Sequence, residues 1–308
     1  MSAPLRVGTR GSALSRVQTE LALAALREAG IKAEPVVIRT EGDRDRATSL
    51  RILGGRGVFV RAIETALLGG EIDLAAHSAK DIPSTLQPGT ALAAFLPRSD
   101  VRDALVTPTE RGWSATDDLP VGARVGTGSR RRAAQLRSRR PDLEIVDIRG
   151  NVDTRIRKLL AGEFDAILLA QAGLSRLGPP PDVTVEPLPI DLMLPAPGQG
   201  AIALQSRADD EPLIASLSAV NHRSTELAVR AERAALAQLG AGCTLPVAAL
   251  GHVRLDEVVV AGRMLSLDGS QRVELQRSGP GEDPEAVGRE LGEALLDRGG
   301  RTLMEQMS

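Results

Sequence analysis

Three groups of residues in this chain have types and spacings suited to chemistry. The first is His77-Ser78-Ala79-Lys80-Asp81, directly after the short apolar run Leu74 to Ala76. Strand ends in α/β sheets are where ligand-binding groups collect. Asp81 is the acid–base candidate there, and Lys80 beside it can hold an anion; the bland reading is a solvated Lys-Asp pair. The second group is the arginines crowded between Arg130 and Arg157. Arg130, Arg131 and Arg132 are consecutive, so on a helix they point in different directions, two to a cleft and one to water. Arg149 and Arg155 follow at the end of the next strand and the start of its helix. Arginine binds carboxylates through two parallel hydrogen bonds and keeps its charge near neutral pH, so several aimed at one cleft imply a ligand with several carboxylates or phosphates. A solvated basic face is the alternative. The third is Cys243 in Leu239-Gly240-Ala241-Gly242-Cys243-Thr244, the sole cysteine. An isolated cysteine is usually a small core residue. Glycines beside it in a loop argue instead for an accessible sulfur, a nucleophile or an attachment point.

Composition narrows the classes. A chain of 308 residues has room for two or three domains, and 42% hydrophobic with 25% charged residues is ordinary for a water-soluble protein. No run approaches the roughly 20 apolar residues of a membrane span, and Met1 to Arg10 lacks the pattern of a secretory signal. One cysteine permits no internal disulfide, which fits a reducing cytoplasm. A net charge of −2, no tyrosine, one tryptophan (Trp113) and three phenylalanines leave little for nucleic-acid binding. His77, His222 and His252 lack metal-ligand spacing, so no metal site is expected.

The elements that must position these groups come in two similar sets. Arg6-Val7-Gly8-Thr9 reappears as Arg124-Val125-Gly126-Thr127, and Val37-Ile38-Arg39 as Asp147-Ile148-Arg149. Leu67-Leu68-Gly69-Gly70-Glu71-Ile72-Asp73 matches Leu159-Leu160-Ala161-Gly162-Glu163-Phe164-Asp165. Each set reads strand, turn, helix, strand, helix, strand, which is α/β. The first helix starts near Ser12, with Leu14, Val17, Leu21 and Ala25 spaced for one face and Gly30 as a stop. Val36 to Ile38 reads as a strand, Val58 to Leu68 as a helix, and Leu74 to Ala76 as a strand covered on both faces. The hinge falls near Pro97 to Asp103, with a return near Pro195 to Gly200. A third region begins near Asn221, with a helix over Thr225 to Leu239 and strands Val258 to Leu265 and Arg272 to Gln276 around an Asp268-Gly269 turn. Pro284 to Arg298 reads as a closing helix. The expected division is residues 1–98 with 198–218, residues 103–194, and residues 221–308. Glu41 to Gly57 is rich in Gly, Arg and Asp and reads as a long loop, either a lid or a surface excursion.

Taken together the motifs resemble the porphobilinogen deaminase family over nearly the whole chain. They are Gly8-Thr9-Arg10-Gly11-Ser12 with Gln18, Gly54-Gly55-Arg56-Gly57-Val58-Phe59-Val60, His77 to Pro83, and Val125-Gly126-Thr127-Gly128-Ser129 with Arg131-Arg132. Arg149-Gly150-Asn151-Val152, Leu169-Ala170-Gln171-Ala172-Gly173-Leu174, Pro197-Gly198-Gln199-Gly200 and Gly242-Cys243 follow. The resemblance implies two periplasmic-binding-protein-like lobes plus a smaller C-terminal α+β domain. It implies a dipyrromethane cofactor joined by a thioether to Cys243, and a monomer. The activity implied is the deaminating condensation of four porphobilinogen units into hydroxymethylbilane, a step of tetrapyrrole biosynthesis.

By matching positions, Ser78, Lys80, Asp81, Thr127, Ser129, Arg131, Arg132 and Arg155 would hold the cofactor. Arg10, Ser12, Gln18, Arg149, Arg155, Arg176 and Gln199 would hold porphobilinogen or the growing chain, with Asp81 as catalyst. The sequence departs from the family pattern at Arg56, Ala79, Gly128 and Arg130, none of which carries an assigned role. A solute-binding protein without chemistry, or a ligand-sensing regulator coupled to DNA binding, are the rivals. The Gly-Ala-Gly-Cys loop speaks against the first, and the lack of a helix-turn-helix pattern against the second.

Overall fold

The computed structural model describes residues 3–38, 57–240 and 245–306. The expectations placed on Cys243 and on residues 41–56 lie outside them. The chain builds β1 (Leu5–Thr9), α1 (Ala13–Glu28), β2 (Ala33–Val37), α2 (Gly57–Leu68), β3 (Leu74–Ser78) and β4 (Thr90–Phe95), then crosses to a second lobe. There it forms β5 (Asp103–Pro108), β6 (Arg124–Gly126), α3 (Arg130–Arg139), β7 (Glu144–Val146), α4 (Val152–Leu160), β8 (Ala166–Ala170), α5 (Gln171–Leu177) and β9 (Val183–Pro187). It returns through β10 (Ile202–Arg207) and α6 (Glu211–Leu217). A third unit follows with α7 (Arg223–Gln238), β11 (Val247–Arg254), β12 (Glu257–Leu265), β13 (Arg272–Pro280), α8 (Pro284–Leu295) and α9 (Arg301–Glu305).

The sequence repeat is a repeat of topology. The first sheet runs β2-β1-β3-β10-β4 and the second β7-β6-β8-β5-β9. In each, the first three strands are parallel and the fourth is antiparallel to both neighbours. That antiparallel strand is the one delivered by a crossing segment, β5 on the way out and β10 on the way back. The matched Asp residues explain part of the repeat. Asp73 accepts from the Arg6 backbone N–H at 2.9 Å, and its own N–H donates to the Arg6 carbonyl at 2.9 Å. Asp165 does the same with Arg124 at 2.8 and 2.9 Å. Each aspartate therefore fixes where its strand starts beside the Arg-Val-Gly-Thr strand.

Apolar burial holds each sheet on both faces, as expected for β3. Val7, Leu74, Ala76, Ile202 and Leu204 pack with Ala22, Leu23 and Leu26 of α1, while Ala75 and Ile72 pack with Ile63 and Leu67 of α2. The face expected for α1 is corrected. The Ser12 hydroxyl caps the helix as its position suggests. The stripe buried on the sheet is Thr19, Ala22, Leu23 and Leu26, and Leu21 is 44% exposed. Leu14 faces the other lobe instead, with Cδ2 3.5 Å from where a Cβ on Gly173 of α5 would lie. One helix thus serves two surfaces, so no single stripe describes it.

The third unit is a three-stranded antiparallel sheet, β11-β12-β13, with α7 and α8 over it. The closing helix stops at Leu295 rather than Arg298. A wide turn over Leu296–Gly300, with Gly299 at φ 119°, leads into α9. The unit is tied to the first lobe by Arg98, which pairs in two-pronged fashion with Glu232 of α7 at 2.6 and 3.1 Å. Glu232 is fully buried and also accepts from the N–H groups of Gly198 and Gly251, each at 2.6 Å. Four donors satisfy the carboxylate, which is what a buried charge requires.

Gly288 lets α8 approach α7: a Cβ there would collide with the Ala231 carbonyl oxygen and stand 2.8 Å from Ala234 Cβ. Alanine in a helix interior gains about 1 kcal/mol over glycine, whereas overpacking against backbone costs about 1–3 kcal/mol. Gly288→Ala is therefore expected to lower the urea midpoint of unfolding. A raised midpoint would show that the helices have room to separate.

Candidate active site

The crossing segments bring Lys80, Arg131, Arg132 and Gln199 of the sequence-derived site residues together. β3 ends at Ser78, and a tight 3-10 turn over Ala79–Asp81 presents Lys80 and Asp81. On the return crossing, Gly198 adopts φ +73°, and a Cβ there would lie 2.8 Å from the Ala79 carbonyl carbon and 2.9 Å from the Lys80 nitrogen. Only glycine lets this backbone lie against the turn that carries Lys80 and Asp81. Gln199 then accepts from Lys80 Nζ at 3.4 Å. Its amide donates to the Val101 carbonyl at 2.8 Å and to Asp103 Oδ1 at 2.9 Å.

Asp103 is the centre of this arrangement. It opens β5 and is fully buried. Arg131 Nη1 donates to its Oδ2 at 2.6 Å, and Arg132 reaches Oδ1 through Nε at 2.8 Å and Nη2 at 2.6 Å. Both arginines lie on α3, whose start is capped by the Ser129 hydroxyl. They are 5% and 7% exposed, while Arg130 faces water, the division expected from three consecutive arginines. Arg131 Nη1 also donates to the Leu194 carbonyl and Arg132 Nη1 to that of Leu168. Burial alone pushes the Asp103 carboxyl up, but Arg131 and Arg132, with Gln199, outweigh it and hold the group well below the usual carboxylate range. Two guanidiniums thus converge on a single carboxylate, with the Lys80 ammonium joined to it through Gln199.

Arg176 on α5 adds a further guanidinium. Its Nη2 donates to the Gly200 carbonyl at 2.7 Å, and its buried Nε has no hydrogen-bond partner. Burial pushes this guanidinium below the ordinary arginine value, with no acidic group offsetting it. Uncompensated buried N–H groups are rare, and this one matches an anionic ligand. Arg131 uses only Nη1 in its hydrogen bonds among the described residues, so its Nε–Nη2 edge suits a two-pronged carboxylate.

The remaining expected residues divide. Gln18 is buried and donates to the Ser78 hydroxyl at 2.6 Å, joining α1 to the end of β3. Thr127 accepts from the Ser129 N–H at 3.2 Å. Ser12 caps α1, and Arg10 follows β1 in the same turn. Arg155 Nε donates to the Gly150 carbonyl at 2.8 Å, and Arg149, largely exposed, pairs with Asp147 at 2.8 Å. These last two contacts are local ones within the second lobe. Among the described residues no group of His, Cys, Asp and Glu is placed to hold a metal ion.

Asp103, Arg233 and the Arg98–Glu232 pair were not singled out from sequence. Arg233 of α7 donates to the carbonyls of Ile82, Pro83 and Ser84, at 3.2, 2.7 and 3.2 Å, and so holds the segment after Asp81. The signal for Asp103 was an acidic residue opening the apolar run Ala104-Leu105-Val106.

The comparisons with known proteins agree over the whole chain. A family model described as porphobilinogen deaminase, dipyromethane cofactor binding domain, matches residues 5–215, and one for the C-terminal domain matches residues 226–297. The porphobilinogen deaminase of a Roseiflexus species is 46% identical over 308 residues, covering 99% of each chain. That of Syntrophus aciditrophicus is 45% identical over 305 residues, covering 98% of each. Among solved structures, an ancestral arginine-binding protein bound to glutamine is 18% identical over 71% of this chain and 91% of that one, with a TM-score of 0.39. The two-lobed description rests on the sheets above and not on this last likeness.

His77 lies on the α2 side of β3, behind Asp81. Burial pushes its imidazole down to about 4; Gln205 and Asp81, which favour the charged form, offset only part, and Arg10 opposes it. A histidine with a lowered folded pKa binds its proton more readily when unfolded, so stability falls as pH drops from about 6.5 towards about 4. The loss reaches roughly 3 kcal/mol when complete. His77→Asn is expected to flatten this part of the stability–pH curve, measured by urea unfolding between neutral and mildly acid pH; parallel curves would contradict it.

Proposed function

The chain belongs to the porphobilinogen deaminase family, and from that premise we propose that the Asp103-centred cleft is where four porphobilinogen units are joined into hydroxymethylbilane. The observation that carries the placement is that Lys80, through Gln199, meets Arg131 and Arg132 at the buried Asp103, with Arg176 donating to the adjacent Gly200 carbonyl. A dipyrromethane fits this donor set, because its acetate and propionate groups match the unused Arg131 edge and the orphaned Arg176 Nε. When bound, it supplies the free pyrrole α-carbon to which the first unit is joined.

The residues divide the work as follows. Ser78, Lys80, Thr127, Ser129, Arg131, Arg132 and Arg155 hold cofactor carboxylates, and Arg10, Ser12, Gln18, Arg149, Arg155, Arg176 and Gln199 hold the incoming unit. Asp81 gives a proton to the departing amine of porphobilinogen, which leaves as ammonia. It then receives the proton lost from the ring carbon that forms the new bond, so it ends as it began. Its carboxylate also stabilises the positive charge that develops on the substrate as the carbon–nitrogen bond breaks. Cys243 carries the thioether. No described helix is long and apolar enough to cross a membrane, and a monomer working in the cytoplasm is the simplest setting for this chemistry.

Two measurements test the reading. The intact mass of purified protein is expected to exceed the sequence mass by two linked pyrrole units, and Cys243→Ala is expected to lack the increment. Asp81→Asn, which removes the proton carrier and leaves the arginines in place, should lower kcat by at least about a hundredfold with the increment retained. An unmodified wild type after incubation with porphobilinogen, or near-normal turnover by Asp81→Asn, would overturn the corresponding assignment.

A further inference from the structure

We infer that Asp103 is the positioning residue of the carboxylate-binding site: it fixes Arg131, with Arg132 packed beside it on the same carboxylate, so that the Nε–Nη2 edge of Arg131 meets the ligand. This rests on the function proposed above and deepens it. The geometry supplies three arguments. The backbone beneath Asp103 is held on both sides, by pairing with Ala170 of β8 and by the Leu188 N–H donating to its carbonyl at 2.8 Å. Its carboxylate therefore has a defined place before any ligand arrives.

The carboxylate also separates two guanidiniums that would otherwise repel each other. Arg131 takes one oxygen and Arg132 the other, each at 2.6 Å. Arginine side chains are rich in rotamers, and ordering them in the folded protein leaves less to lose on binding. The hydrogen bonds of Arg131 to Asp103 and Leu194 use only Nη1, so its Nε–Nη2 edge is oriented and still available.

Finally, Asp103 joins the two crossing segments. Gln199 links it to Lys80 of the first lobe, at 2.9 and 3.4 Å, while the arginines belong to the second. The arginines of the second lobe directly, and Lys80 of the first through Gln199, are therefore tied to one fixed carboxylate. Buried ion pairs add little net stability compared with apolar packing, so placement is what this one contributes.

The test compares wild type with Asp103→Asn, which keeps the shape and removes the charge, and Asp103→Glu, which keeps the charge and moves it by one methylene. Intact mass gives the fraction carrying the two-pyrrole increment; KM and kcat are measured for porphobilinogen on the loaded protein. Asp103→Asn is expected to cut the loaded fraction by at least about tenfold, since a misplaced binding group costs up to about a hundredfold. Asp103→Glu should raise KM by about tenfold with a melting temperature near wild type. Equal loading and unchanged KM in Asp103→Asn would overturn the proposal. Should that variant not fold, a normal KM in Asp103→Glu overturns it and a raised one supports it. A wild type without the increment would reject the function as well, whereas a loaded wild type beside equally loaded variants rejects the role of Asp103 alone.

Discussion

A carboxylate shut away from water between two guanidiniums sets the terms for the rest of this structure. Taking Asp103, Arg131 and Arg132 out of solvent is costly unless every charge is met, and the fold meets them with carbonyls from Leu168 and Leu194 and the amide of Gln199. Those partners come from β8 and the return crossing, while the arginines come from α3, so the arrangement exists only when the second sheet is formed and both crossings lie side by side. The surplus positive charge left over, with Lys80 and Arg176 close at hand, is what makes the place suitable for a ligand bearing several carboxylates.

The third unit supports the other half of the cleft. Glu232 binds Arg98 and the Gly198 N–H together, so α7 holds the return crossing where it touches the Ala79–Lys80 turn. The next residue of the same helix, Arg233, fastens Ile82, Pro83 and Ser84. The short segment carrying Asp81 is thereby gripped from before and after, although Asp81 itself belongs to the first lobe. Precise placement of an acid–base group depends on such supporting contacts.

How much of this could be read in the residues follows from the range of the forces involved. The two lobes were legible because Arg-Val-Gly-Thr and the later Gly-Glu-x-Asp segment carry local hydrogen bonds that the repeat preserves, Arg6 with Asp73 and Arg124 with Asp165. Lys80, Asp81, Arg131 and Arg132 were legible because strand ends and helix starts gather ligand groups. The buried stripe of α1 was misjudged because Leu14 serves the facing lobe and small Ala22 lies on the sheet. β11 had little to announce it, being rich in alanine with a glycine at its centre. Asp103 escaped notice because its arginine partners are 28 and 29 residues away and its glutamine 96. In sequence, an aspartate before an apolar run reads as the end of a turn.

The central claim is a condensation that releases ammonia from every unit joined, carried out by a cleft built to hold carboxylates. It is tested most directly by incubating the purified protein with porphobilinogen and measuring ammonia and linear tetrapyrrole together. The account predicts four molecules of ammonia for each hydroxymethylbilane, formed over many turnovers. Porphobilinogen that is bound but returned intact, with no ammonia released, would contradict it and leave a binding protein in its place.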